Sequence, residues 1–146
     1  MNAELMQYMT FWVGANLCAV NALDVQEILH YQKITPVALT PEYVRGLMNL
    51  RGNILTVIDL RRLFGLPSLP DETTGMHLVV QAEGEAISFF VDRMDTIVEI
   101  VAEQLLPPPD TAQSAIARYI ASVSRVDDHL MMLLNLETVL DIQERG

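Results

Sequence analysis

At 146 residues, 51% of them hydrophobic and only 19% charged, the chain is long enough to bury one ordinary core and too apolar to stay disordered. A formal net charge of −10 with one lysine, Lys33, repels phosphate backbones and anionic lipid, which disfavours nucleic-acid binding and membrane docking. No apolar run approaches the roughly 20 residues that span a bilayer, no signal peptide is visible, and Cys18 has no cysteine partner, so a cytoplasmic, reducing location is expected.

Taken in order, Glu4 to Val13 reads as a strand ended by Gly14-Ala15-Asn16, with Leu17 to Leu23 as its hairpin partner. Cys18 lies in apolar surroundings and is expected to be an inert buried thiol. Asp24 to Leu29 reads as a short turn or helix, and Pro36 and Pro41 break regular structure after it. Val44–Leu50 and Ile54–Ile58 are Val/Ile/Leu-rich strands around a tight turn at Arg51-Gly52-Asn53, where Gly52-Asn53 supplies the left-handed backbone. Asp59 caps a short helix. This one stretch holds four of the eight arginines: Arg45, Arg51, Arg61 and Arg62.

A Gly/Pro-rich passage, GLPSLPDETTG, follows as the clearest internal linker. Beyond it come a hairpin (Met76–Ala82, Ala86–Val91), a strand (Thr96–Val101), a rigid break at Pro107 to Asp110 and a last hairpin (Tyr119–Val126, Leu130–Leu134) turning at Asp127-Asp128-His129. Asn135 onward is a terminal helical turn. Laid without gaps over Tyr119–Leu140, the stretch Tyr43–Phe64 matches Tyr43 to Tyr119, Asp59 to Asn135 and Leu60 to Leu136. Upstream, Val25–Ile28 resembles Met94–Ile97. A structural duplication follows, giving two small all-β subdomains of about five strands each, near 14–66 (with parts of the termini) and 76–140.

Catalytic and cofactor motifs are not found: no phosphate-binding glycine loop, no nucleophile elbow, and His30, His77 and His129 far apart with no partner at metal-ligand spacing. Pairs such as Glu83/Glu85 and Asp92/Asp95 read as exposed turn charges. Met131 and Met132 read as core, whereas Met48 and Met94 can line an adaptable binding surface. The favoured class is a protein–protein module.

The stretch GLMNLRGNILTVIDLRRLFGLP closely resembles the signature of the CheW family of chemotaxis coupling proteins, with its N-L-R-G and V-x-D-L elements. The likeness runs along nearly the whole chain, 1–146, as a single CheW-like domain. VQEI resembles the family's V-x-E-I element, ISFFVDRMDTIVEI its second-half V-D element, and LLPPPD the proline turn before the last hairpin.

The resemblance implies two SH3-like β-barrels with a hydrophobic groove between them, no catalysis and no cofactor or metal. It also implies a scaffold that links chemoreceptor tips to the regulatory domain of a CheA-type histidine kinase. Carried over by position, Val25, Glu27, Ile28, Asn49 and Arg51 fall on the receptor-facing groove, and Arg45, Leu47 and Arg51 on the kinase-facing surface. Arg51 can instead serve a network within its own chain, to Glu27 or Asp59, and Val25 and Ile28 can be core.

Departures from the family pattern are Cys18 where an aromatic is common, Ser88 where glycine is common, and Asn135 in place of a capping aspartate. A response-regulator receiver domain, as in the CheV type, is not expected. Alternative readings are service in a surface-motility or other kinase pathway, a small-ligand sensor using the groove, and, least favoured, an enzyme.

Overall fold

The computed structural model describes residues 4–108 and 116–139. Among the described residues ten strands carry the fold: β1 (Leu5–Val13), β2 (Asn16–Asn21), β3 (Val25–Leu29), β4 (Val44–Leu50), β5 (Asn53–Asp59), β6 (Met76–Ala82), β7 (Glu85–Val91), β8 (Arg93–Val101), β9 (Ile120–Val126) and β10 (His129–Leu134). A short α-helix, α1 (Leu60–Leu63), follows β5, and residues 136–139 are helical after β10. Pro109, Asp110 and Leu140, parts of the expected proline break and of the repeat, lie outside the described residues.

The strands form two five-stranded sheets, ordered β8-β1-β2-β10-β9 and β3-β6-β7-β5-β4. We call them the split sheet and the continuous sheet, because only the second uses one unbroken stretch of chain. The expected division near the Gly/Pro-rich passage is therefore not the division between sheets. Each half of the chain lends its first hairpin to the other half's sheet: β1-β2 joins β8, β9 and β10, and β6-β7 joins β3, β4 and β5. Parallel pairs make the exchange, β2 beside β10 and β5 beside β7.

The duplication itself is visible in the register. Val44 pairs with Ile58 and Ile120 with Leu134, then Gly46 with Val57 and Ser122 with Leu133, all 76 positions apart and with the same bulge. Asp59 N–H donates to the Tyr43 carbonyl at 2.8 Å, and Asn135 N–H to that of Tyr119 at 2.7 Å. Val25 opposite Val80 and Met94 opposite Phe11 occupy matching places before a bulge in β3 and β8.

Two local expectations change. Only Ala22–Asp24 forms a turn of helix, capped by the Asn21 side chain, which accepts from Leu23 N–H at 2.9 Å. Val25–Leu29 is a strand, because its alternating half-buried and exposed residues suit the free edge of β6. The left-handed pair at the β4–β5 turn is Arg51-Gly52 (φ 52° and 87°), with Asn53 already in β5. Positive φ at both central residues matches the twist of the flanking strands.

Among the described residues three clusters fill the interior. Phe11, Val13 and Val20 of the split sheet pack with Ile58, Leu78 and Phe89 of the continuous sheet in a shared core. Met48, Leu55, Val57 and Phe90 fill the continuous sheet's own cluster, and Tyr8, Leu17 and Met131 that of the split sheet. Met48, 2% exposed, is thus core and not binding surface. Met94 packs in part against the shared core. Cys18 is buried, and burial, helped by the Asp92 charge, pushes its thiol up to about 12, so it stays protonated and unreactive.

His77 is fully buried, with Nδ1 3.0 Å from Ser88 Oγ and no partner for Nε2 among the described residues. Burial, then the Arg45 charge, lowers its pKa from 6.5 to about 4. The unfolded chain therefore takes up a proton below about 6.5 that the folded chain refuses until near 4. Stability is full above this window and falls as pH drops through it. Between pH 7.5 and 5.5 urea unfolding should register a loss of about 1 kcal/mol, and His77→Gln should remove most of that slope. Equal slopes for the two chains would show that His77 is not the group responsible.

Candidate functional site

The site residues separate into two places. At the open end of the continuous sheet, Arg51 leaves the β4–β5 turn and reaches Glu27 on β3. Its Nη1 donates to Glu27 Oε2 at 2.6 Å and its Nη2 to Oε1, a two-bond fork. Since β3 and β4 are the two edges of this sheet, the pair clasps its ends together across the mouth. Arg51 stays 69% exposed at the side chain, so the clasp faces solvent. The Arg51 hydrogen bonds hold the Glu27 carboxyl below its usual range. Asn49 shapes the turn, its Oδ1 accepting from Gly52 N–H at 2.8 Å.

Beside the clasp, Arg51, Gln26, Leu50 and Ile54 line a pocket of about 320 Å³, with Ile54 61% exposed. Ile28 is 37% exposed and presents an apolar side chain on β3. Val25 packs in part against the shared core instead. The split sheet has no such clasp: Thr96 and Asp127 occupy the equivalent places, and Thr96 exchanges hydrogen bonds with Thr10 (2.6 and 3.0 Å).

Arg45 belongs elsewhere. Its guanidinium donates to Asp59 Oδ2 at 3.0 Å, lies 3.5 Å from Glu72 and stacks over Phe90 at 5.0 Å. The side chain is only 16% exposed and is held within this network. Leu47 is half-buried, and its backbone is taken by Thr35. Arg61 forks onto Asp92 (2.7 and 2.6 Å), and Arg62 donates to Ser68 Oγ and, at 3.0 Å, to the Glu42 carbonyl. So of the four arginines that distinguish the first repeat, three are tied mainly into the chain's own framework. Asp92, Ser68 and Glu72 lie 31, 6 and 27 positions from the arginines they bind, without a local motif to announce them.

Where the β6–β7 turn of the continuous sheet meets the split sheet, an open cleft of about 480 Å³ is lined by Tyr8, Asn21 and Leu134, with Asp24, Glu83 and Glu137 also on its wall. Its lining is mixed, more polar than the expected hydrophobic groove, and none of the residues expected on the groove lines it. No group of three or more His, Cys, Asp or Glu side chains fit to hold a metal occurs among the described residues, nor any helix long and apolar enough to cross a membrane.

The family model described as CheW-like domain matches residues 7–144. The chain belongs to the CheW-like domain family. This CheW-like chain is 32% identical over 139 residues to the chemotaxis protein CheW of Helicobacter pylori, covering 95% of this chain and 84% of that one. To the chemotaxis protein CheW of Klebsiella aerogenes it is 27% identical over 138 residues, 94% and 83% of the two chains. Its fold matches the crystal structure of the scaffolding protein TtCheW from Thermoanaerobacter tengcongensis with a TM-score of 0.82 at 24% identity, over 90% of each chain. The Glu27–Arg51 clasp joins the V-x-E-I and N-L-R-G elements of the CheW-like pattern, which are 24 positions apart in sequence.

Proposed function

We propose that this chain is a non-catalytic coupling scaffold that joins chemoreceptor tips to the regulatory domain of a CheA-type histidine kinase in the cytoplasm, at receptor arrays. The observation that carries the reading is the solvent-facing clasp of Glu27 and Arg51 beside the exposed Ile28 and Ile54. A helical receptor tip offers apolar anchors and carboxylates. An aliphatic side chain beside a forked guanidinium, as Ile54 stands beside Arg51, suits both. Membership of the family supports the role, and chemotaxis is named for the relatives. Service in surface motility or another kinase output requires the same two contacts and differs only in which receptor and kinase are bound.

Arg51 tests the reading because it is so exposed. An ion pair in solvent adds little to stability, so Arg51→Ala should lower the melting temperature by less than about 3 °C. Loss of an exposed guanidinium at a partner interface should weaken binding about tenfold. Calorimetric titration against the receptor tip and the kinase regulatory domain, alongside thermal melts, measures both. A fall in stability that matches the fall in affinity would return Arg51 to a purely structural role.

A further inference from the structure

The duplication gives the two sheets corresponding places, and in the first repeat Arg45 fills one of them. Arg45 is the extra residue of the β4 bulge, and its guanidinium lies against Asp59 and over Phe90, whose ring meets that of His77 at 5.2 Å. Seventy-six positions on, the bulge residue of β9 is Ala121, and Asn135 and Glu137 take the places of Asp59 and Arg61. His77 stands opposite Phe90 on β6 and β7, and Tyr8 stands opposite Asn21 on β1 and β2, 69 positions earlier. The same offset relates Val25 to Met94 and Phe11 to Val80.

The corresponding residues of the second repeat, Tyr8, Asn21, Ala121, Asn135 and Glu137, all line the open cleft of about 480 Å³. An alanine stands where the first repeat has its arginine. Asp24 and Glu83 bring two more carboxylates to the wall, and no lysine, arginine or histidine lines it. Among the described residues none of Asp24, Glu83 and Glu137 has a basic partner. Tyr8 is 5% exposed, its ring packed in the split sheet's cluster, and its hydroxyl has no hydrogen-bond partner among the described residues. A hydroxyl so placed on the cleft wall can accept from a donor that enters.

We propose that the cleft binds a small dication with a guanidinium at one end and an amine at the other. Beside Tyr8 and Glu137 the guanidinium takes the place that Arg45 takes in the first repeat. The alkyl arm lies along Leu134, and the remaining carboxylates meet the amine. A planar guanidinium is weakly hydrated and forks onto a carboxylate, which an ammonium cannot do. Three unpaired carboxylates exceed the charge of one guanidinium. A ligand with a second cationic end and no carboxylate of its own therefore matches the cleft better than a single arginine side chain.

Agmatine is the probe, and amide NMR of the full chain reads both its affinity and its place. Saturable shifts centred on Tyr8 and Ala121 are expected, with a Kd below about 1 mM at low salt that rises as salt is added. Ala121→Arg supplies from β9 what Arg45 supplies from β4, and should weaken agmatine at least about tenfold while the melting temperature holds or rises. Should that variant melt early, Tyr8→Phe, which keeps the ring and removes the hydroxyl, reports instead, with a loss of about threefold. The dication 1,4-diaminobutane, which lacks the guanidinium, should bind at least about fivefold more weakly than agmatine. No saturable binding by about 10 mM agmatine, unchanged affinity in the variant that reports, or equal affinity for 1,4-diaminobutane would overturn the proposal. Tighter binding of acetyl-arginine amide than of agmatine would overturn it in favour of an arginine borne by a protein. The coupling role stands or falls separately, since none of its expected contacts lines this cleft.

Discussion

Asp59→Ala is expected to cost about 3–5 kcal/mol of stability, a large share of what a domain of this size holds. The carboxylate is fully buried and has four donors. Its Oδ2 accepts from Arg45 at 3.0 Å and Ser68 at 2.8 Å, and its Oδ1 from the backbone N–H groups of Arg61 and Arg62 at 3.0 and 3.5 Å. Alanine removes the helix cap and leaves the Arg45 guanidinium beneath the surface with Glu72, 3.5 Å away, as its remaining carboxylate among the described residues. The second repeat supplies the control. Asn135 holds the same place and accepts from Thr138 N–H at 3.2 Å, and among the described residues it faces no arginine. Asn135→Ala should therefore cost only about 1 kcal/mol, the usual worth of a cap. Urea denaturation of both variants separates the effects. Equal losses would mean that the arginine network around Asp59 does not hold the first repeat together.

Gly46→Ala is expected to be nearly as damaging, by about 3 kcal/mol. Gly46 sits in the β4 bulge at φ 149°, and a Cβ there would lie 2.3 Å from the Thr35 carbonyl oxygen and 2.8 Å from Ile34 Cγ2. The first obstacle is backbone and cannot swing aside. Relief would require breaking the Thr35–Leu47 pairing and lifting Ile34 out of its core. At the equivalent bulge position of the second repeat stands Ser122, already bearing a Cβ. Ser122→Ala should change stability by less than about 0.5 kcal/mol. Thermal or urea unfolding of the two variants checks the contrast, and a mild Gly46→Ala would show that the loop is free to move off β4.

Much of this architecture is legible in residue order. The hairpins follow from alternating apolar residues and turn chemistry, and the ungapped match of the two last hairpins anticipates a shared bulge and shared capping places. The exchange of hairpins between halves is not legible. It depends on which parallel neighbours β2 and β5 choose, and that is decided by how Phe11, Val20, Ile58 and Phe89 fill one core. VQEIL is too short for its period to separate strand from turn without the edge of β6 beside it.

The site was partly readable for the same reason. The clasp of Arg51 to Glu27 is one of the two internal alternatives that the sequence leaves open, because both side chains lie in recognisable elements. That Arg45 turns inward follows from Asp59, Glu72 and Phe90 converging on it from separate elements, which no local pattern encodes. The arginine set of the first repeat is thus mostly framework, and Arg51 is the member that reaches furthest into solvent.

A coupling scaffold of the proposed kind must hold a receptor and a kinase at once. Titrating the purified chain with a CheA-type regulatory domain, then adding a receptor-tip fragment to the saturated complex, tests it most directly. Saturable binding of the first partner, uptake of the second without release of the first, and no turnover are the expected results. Absence of binding to the regulatory domain at high micromolar protein, or displacement of one partner by the other, would contradict it.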